Sequence, residues 1–338
     1  MMDWNRSYSS TWRIYRVNRK TWADAEILTD VDSVSVTRTA DGALLESGSI
    51  EVTGEFQPDY YRVVMIAEQG GDVVRADVAT MLFDIDSGEH NFGTGKAKAE
   101  GHSVLYPAST TSIPIGEYAP AGVDGARYAA NLLGSAINAP IEVEGSFILN
   151  EHIVHEADSF ILDTVWSVLE AGSFVIQIDG RGVVHIRPKP TEPALIIDTA
   201  GKGILLNGIE YKSDISEIPN RYIVIDDYSR TTVINDDPNS SVSTVVRGYC
   251  VDEVDTSPTP VNGETYGEYA YRKLRELSLL KIERSYKREY APDVYLYSII
   301  RASIDGLQGD MRVQSQSLEC KNGIQVSEKV TEEISLWQ

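Results

Sequence analysis

Val31-Asp32-Ser33-Val34-Ser35-Val36-Thr37-Arg38 alternates apolar and polar residues, the period-two pattern of a strand with one buried face. After the turn signal Ala40-Asp41-Gly42, the alternation resumes over residues 48–54. Residues 61–67 and 73–79 flank Glu68-Gln69-Gly70-Gly71-Asp72, a hairpin signal, and 81–86 and 96–101 add two further strands. Short strands broken by frequent turns predict a small antiparallel barrel or sandwich. The pattern changes beyond Pro114 and Pro120. From Asp124, the residues Ala126, Ala129, Leu132, Leu133, Ala136 and Ile137 form a helical stripe that ends near Asn138-Ala139-Pro140. A second helix is predicted with Asp158 as N-cap, Phe160, Ile161, Val165, Val168 and Leu169 as its apolar face, and Gly172 past its end. Residues 173–178 and 183–187 around Asp179-Gly180-Arg181-Gly182 read as a hairpin broken by Pro188-Lys189-Pro190, so the middle of the chain is an α+β unit.

β-structure then resumes over 204–211, over the strand announced by Ile218-Pro219-Asn220-Arg221, and over 242–249, with 235–241 as a polar loop. A long helix is predicted over 263–283, with Tyr266, Tyr269, Ala270, Leu274, Leu277 and Leu280 on one side. Strands at 294–304, 311–319 and 324–336 finish the chain, and no short-period repeat is visible.

Composition narrows the function. The 338 residues have room for two or three domains of about 150 residues each. With 42% hydrophobic and 24% charged residues, wholesale disorder is excluded. Against 30 Lys+Arg stand 51 Asp+Glu, a net charge of −21, which argues against a static nucleic-acid binder and against stable attachment to anionic membranes. No run nears the roughly 18 apolar residues that span a bilayer, and the polar N-terminus lacks the apolar core of a secretion signal. Synthesis in the cytosol is expected. Cys250 and Cys320 read as two buried free thiols.

Candidate chemistry is sparse. His152 and His155, followed by Glu156, lack the zincin spacing, and His90, His102 and His185 stand alone. Gly201-Lys202-Gly203 and Gly93-Thr94-Gly95-Lys96 lack the phosphate-loop spacing. The pairs Asp84/Asp86, Asp226/Asp227 and Asp236/Asp237 are what 51 acids generate by chance, although the last two are the better cation candidates. No catalytic, cofactor-binding or metal-ligating residue is therefore assigned, no cofactor is expected, and the sequence favours a structural or binding protein over an enzyme.

The linear order of these elements, with the step Ile218-Pro219-Asn220-Arg221-Tyr222-Ile223-Val224, the segment Gly306-Leu307-Gln308-Gly309-Asp310-Met311-Arg312-Val313 and a closing strand before Trp337, resembles the central baseplate hub proteins of long-tailed bacteriophages. Relatives of that family form the upper part of tail-associated lysins and of type VI secretion spikes. The resemblance implies a mainly β fold: a first tube-type β-barrel module over 1–116, a peripheral α+β domain over 117–200, and a second tube-type barrel over 201–338 with a helical insertion at 263–283. In the family, the segment matching Gly306–Asp310 is a loop before the last hairpin. The resemblance further implies a homotrimeric ring at the virion tail tip, between a hexameric tail tube or distal tail protein and a trimeric tip, spike or fibre. DNA would be met only in transit, through a lumen expected to be electronegative. Because the sequence ends at Gln338, directly after the last predicted strand, any wall-degrading activity is expected on another polypeptide. The competing reading is a wall-active enzyme or carbohydrate-binding β-protein of a phage tail tip. Trp4, Tyr8, Trp12, Tyr15 and Trp22, interleaved with Arg6, Arg13 and Arg16, fit either a subunit interface or the barrel's own core.

Overall fold

A computed structural model describes residues 2–337 except 5–6, 55–56, 92–94, 115, 155–157, 199–204, 206–207, 227–228, 257, 259–263, 305 and 322, with 84–91 described for the backbone alone. The N-terminal strands are β1 (Ser9–Val17), β2 (Asp24–Leu28), β3 (Val31–Thr39), β4 (Glu46–Thr53), β5 (Asp59–Gln69), β6 (Asp72–Asn91) and β7 (Lys96–His102). The strands predicted at 73–79 and 81–86 are thus one: Ala79-Thr80-Met81 contains no turn residue and pairs continuously with β5. The middle holds α1 (Tyr106–Thr110), β8 (Tyr118–Ala119), α2 (Gly125–Gly134), β9 (Ile141–Val143), β10 (Ile153–Val154), α3 (Ile161–Ala171), β11 (Phe174–Ile178), β12 (Val184–Pro188) and β13 (Pro193–Ile197). The remainder is β14 (Glu210–Ser213), β15 (Arg221–Asp226), β16 (Ser229–Ile234), α4 (Thr244–Arg247), β17 (Asp252–Asp255), α5 (Tyr266–Leu277), β18 (Leu279–Glu289), β19 (Ile299–Ile304), β20 (Leu307–Lys321) and β21 (Gly323–Ser335).

The chain is mainly β and divides into two compact units, Met1–Ile209 with Ser285–Val330, and Glu210–Arg284 with Thr331–Gln338. These cut the chain differently from the three segments read from sequence. The reason is one ladder: β20 pairs antiparallel with β3, Leu318 opposite Val36, so the last strands join the sheet of the first. In the first unit the hydrogen-bonded order runs β18-β21-β20-β3-β4-β7-β6-β5-β1-β2, with β19 against β20 and β13 parallel to β19. Among the described residues this order is open and no closed barrel is found. β3 has β4 on one side and β20 on the other, so it is not available to close the N-terminal strands on themselves. Beneath the sheet, Val34, Val36, Ile50, Val52, Met65, Met81, Phe83 and Leu318 form a core, each contributing roughly 1.5–3 kcal/mol by burial.

The α+β segment follows local rules with two corrections. Asp124 caps α2, its Oδ1 accepting from the Ala126 and Arg127 amides. Asp158 does not cap α3; Phe160 is the N-cap residue and its amide donates to Asp163 Oδ2 at 3.4 Å. Gly172 ends α3 at φ −99°, not in the left-handed region, and is glycine because a Cβ would lie 2.4 Å from the Phe147 ring. β11 and β12 form the predicted hairpin, with β9 parallel to β12. Its turn docks on β6: a Cβ on Gly180 would meet the Asp77 carbonyl at 1.9 Å, Thr80 Oγ1 donates to the Gly180 carbonyl, and the Trp22 indole donates to the Arg181 carbonyl at 2.7 Å.

In the second unit β15 lies between antiparallel β16 and parallel β17. Tyr269, Ala270 and Leu274 of α5 pack with Tyr222, Val224 and Trp337. The strand expected at 242–249 is α4: Ser243 accepts from the Val246 amide and Gly248 turns left-handed at φ 76°, so the caps override two valines. The helix expected over 263–283 is shorter. Thr265 and Glu268 form a capping box at its start, Ser278 caps its end, and the apolar residues beyond it enter β18. Likewise 294–298 is not strand, and the expected loop at Gly306–Asp310 is a turn at Gly306 followed at once by β20. Of the 204–211 strand, Leu205 makes an isolated bridge to Arg288, Glu210 and Tyr211 fall in β14, and 204, 206 and 207 lie outside the described residues.

Candidate functional site

Strict alternation gives β20, β3, β4 and β7 a second face opposite the core, and it is lined with small hydroxyl residues. Register places Ser317, Thr37 and Ser47 in one row, and Glu319, Ser35, Ser49 and Glu100 in the next. Ser35 and Ser49 share a hydrogen bond at 2.9 Å. At the far end Lys96 is clamped between Asp32 (3.1 Å) and Glu51 (2.8 Å). The result is a low, polar wall whose carboxylates, Asp32, Glu51, Glu100 and Glu319, are interspersed with Lys96, Lys98 and Lys321.

Beneath that wall, charged residues sit among the apolar ones. Arg288 Nε and Nη2 grip both oxygens of Glu328 at 2.8 Å, and both side chains are fully buried. Gln316 donates to Glu328 Oε1 (2.7 Å) and the Tyr286 hydroxyl donates to Oε2 (2.9 Å). Burial pushes the Glu328 carboxyl up, but the Arg288 charge and these hydrogen bonds overcome it and hold it below its ordinary value. Nearby, Arg38 donates to Glu46 Oε1 at 2.7 Å, to Gln316 and to the Val78 carbonyl. Glu46 Oε2 has no hydrogen-bond partner among the described residues, and burial raises this carboxyl despite Arg38. β3, β4, β18, β20 and β21 are thus tied where the first and last strands of the chain meet. Sequence reasoning missed this network, although its signal was present: Arg38 has the parity of Val34 and Val36, and Glu328 that of Ile324, Val326 and Val330.

The singled-out residues are scattered. His152 Nδ1 accepts the Ala121 amide, whereas His155 and Glu156 lie outside the described residues. His102 stacks on Tyr106 with ring centroids 4.2 Å apart. His185 faces Asp179 (3.4 Å), Glu144 (3.3 Å) and Glu142 (3.6 Å), and its pKa is raised, first by the hydrogen bond to Asp179 and then by the three negative charges. Among the described residues no group of three or more His, Cys, Asp or Glu is placed to hold a metal ion. The side chains of Asp84, Asp86 and His90, and residues Gly93, Thr94, Gly201-Lys202-Gly203 and Asp227, are outside the description. Asp237 caps its own loop by accepting from the Asn239 amide. Cys320 is buried and its thiol is pushed up to about 12 by desolvation, but Cys250 is exposed, two residues past the left-handed Gly248.

The N-terminal aromatics pack within the chain. Trp22 is buried, the Trp12 indole donates to the Lys321 carbonyl (2.8 Å), the Tyr8 hydroxyl donates to the Tyr290 carbonyl, and the Arg75 guanidinium lies over Tyr15. The Asn-Arg step has a direct role in the second unit. Asn220 is fully buried; its Nδ2 donates to the Val242 and Tyr249 carbonyls and its Oδ1 accepts from the Val251 amide. Arg221 grips Asp252 through two nitrogens at 2.6 and 2.5 Å.

No protein-family model and no curated protein matches the sequence. Solved structures do match. A tail protein from Neisseria meningitidis superimposes with a TM-score of 0.66 at 11% identity, over 96% of this chain and 97% of its own. The 43 kDa tail protein of prophage MuSo2 from Shewanella oneidensis gives 0.63 at 11% identity, over 95% and 98%. A chain of the Francisella PdpA–VgrG complex gives 0.60 at 9% identity, over 96% of this chain and 58% of that one. The chain has the fold shared by these phage tail proteins and the Francisella complex.

Proposed function

We propose that this chain is a structural hub protein of a phage tail tip or of a phage-derived injection machine, with no catalytic role. Three copies form a ring between the tail tube or distal tail protein above and a tip, spike or fibre below. The observation that carries this reading is the sheet that joins the first and last strands of the chain, with a core on one face and a hydroxyl-rich wall on the other, in a fold shared along nearly its full length with phage tail proteins. At the end of that sheet β2 has, among the described residues, a strand neighbour on one side only, and exposes Glu26 and Ile27. Such an edge pairs with another chain unless it is blocked. Repeated head to tail, that pairing closes a ring. In the ring, residues 1–116 and 201–338 supply the two tube-type modules, whose barrels are completed between subunits, and 117–200 the peripheral domain. The hydroxyl-rich wall faces the bore. Its balanced to slightly negative charge offers a phosphate backbone no continuous cationic track, so DNA passes without binding. The protein is made in the bacterial cytoplasm and resides at the virion tail tip.

Light scattering coupled to size-exclusion chromatography tests the assembly. A species of three chains is expected, with an axial hole in negative-stain images. A monodisperse monomer that cleaves peptidoglycan would overturn the reading.

A further inference from the structure

In the first unit, the N-terminal arm, β6, the β11–β12 turn and the loop after β18 surround a cavity of about 340 Å³. Its walls include Trp4, Asp77, Asp179, Arg181, Asp293 and Tyr295. Some of these groups are committed elsewhere. Asp77 holds Arg75 at 3.0 Å, and Asp179 accepts from the Val183 amide and faces His185. Others are not. The Trp4 indole N–H and the Asp293 carboxylate have no hydrogen-bond or ion-pair partner among the described residues, and Arg181 has only Asp77 at 3.9 Å. Asp293 also holds a left-handed backbone at φ 64°, uncommon for a residue with a side chain.

We propose that this cavity binds a neutral pyranose sugar. The size suits one or two rings, within the usual range of small-molecule sites. Trp4, which meets the Tyr8 ring at 85° with centroids 5.3 Å apart, supplies apolar surface to the wall for the C–H face of a pyranose and an N–H donor for a ring hydroxyl. Arg181 supplies further donors and Asp293 acceptors, the two roles that hydroxyl groups on a sugar satisfy together. With Arg75 and Arg181 facing Asp77, Asp179 and Asp293, the lining is close to balanced, so it provides no strong field for a highly charged ligand. The site lies within one unit of one chain and does not depend on ring assembly.

Saturation-transfer NMR on the full chain tests it, with chitobiose, maltose and N-acetylneuraminic acid as probes. Transfer to the ring C–H protons of chitobiose or maltose is expected, and the stronger of the two tells an N-acetylated glycan from a plain glucan. Trp4→Ala should abolish it. In case that change loosens the arm, Arg181→Gln and Asp293→Asn, both at exposed positions, should each weaken binding about fivefold with unchanged thermal unfolding. No transfer to either neutral sugar, transfer only to the anionic one, or transfer that survives all three substitutions would each overturn the proposal.

Discussion

Glu46 and Glu328 lie in the same sheet, each opposite an arginine, yet their burial has opposite consequences. Glu328 has both oxygens satisfied, by Arg288, Gln316 and Tyr286, and its pKa is lowered. Its stabilisation is therefore complete above the ordinary carboxylate range and is lost as pH falls through the lowered value. Glu46 has one oxygen satisfied and its pKa is raised, so the stability it contributes is present below the ordinary range and lost as pH rises through the raised value. Glu328→Gln leaves the buried Arg288 charge uncompensated and should cost about 3–5 kcal/mol in urea unfolding near neutral pH. It should also flatten the acid limb of the stability profile. Glu46→Gln removes a carboxylate that is already penalised, so a smaller loss is expected. An equal or larger loss would show that Glu46 is the better satisfied of the two.

At the scale of elements, side chains that bind backbone decide where segments sit. Asn220→Ala would leave the carbonyls of Val242 and Tyr249 and the amide of Val251 without their partner, a loss on the order of 3 kcal/mol. Because the compact units are separate, hydrogen exchange should accelerate over 210–284 while β3 and β4 stay protected. Uniform acceleration across the chain would contradict that division. Gly180→Ala should lift the β11–β12 turn off β6, costing about 1–3 kcal/mol, because the clashing atom is backbone and cannot swing away. Limited proteolysis between β11 and β12 reads this directly, and unchanged cleavage would mean the turn is not docked. The strands β3 and β4, the α2 helix and the β11–β12 hairpin were legible in sequence because alternation, a cap and a tight turn are local signals. α4 and the end of α5 were not: two or three capping hydrogen bonds outweighed β-branched composition in one case, and sheet pairing outweighed helical periodicity in the other.

For the whole molecule, the charge of −21 argues against a static nucleic-acid binder, and its distribution sharpens that reading. On the proposed bore face, carboxylates and ammoniums alternate among hydroxyls, so phosphate meets neither strong attraction nor a steep barrier. Converting Ser35, Ser49 and Glu100 to lysine should leave the oligomer intact and make it retain linear duplex DNA at low salt, where the wild type retains none. Retention by the wild type would show the wall to be a binding surface. Alternation along β3 already separated the core positions Val34 and Val36 from the polar positions between them, because side chains on a strand alternate whatever the neighbour. Which strands become neighbours was decided only in three dimensions. The β3–β20 ladder links residues nearly the whole chain apart, and the Arg38–Gln316 contact that connects the two buried ion pairs exists only once it forms. No local pattern encodes that pairing. It follows from burying apolar faces that are adjacent in the fold and remote along the chain.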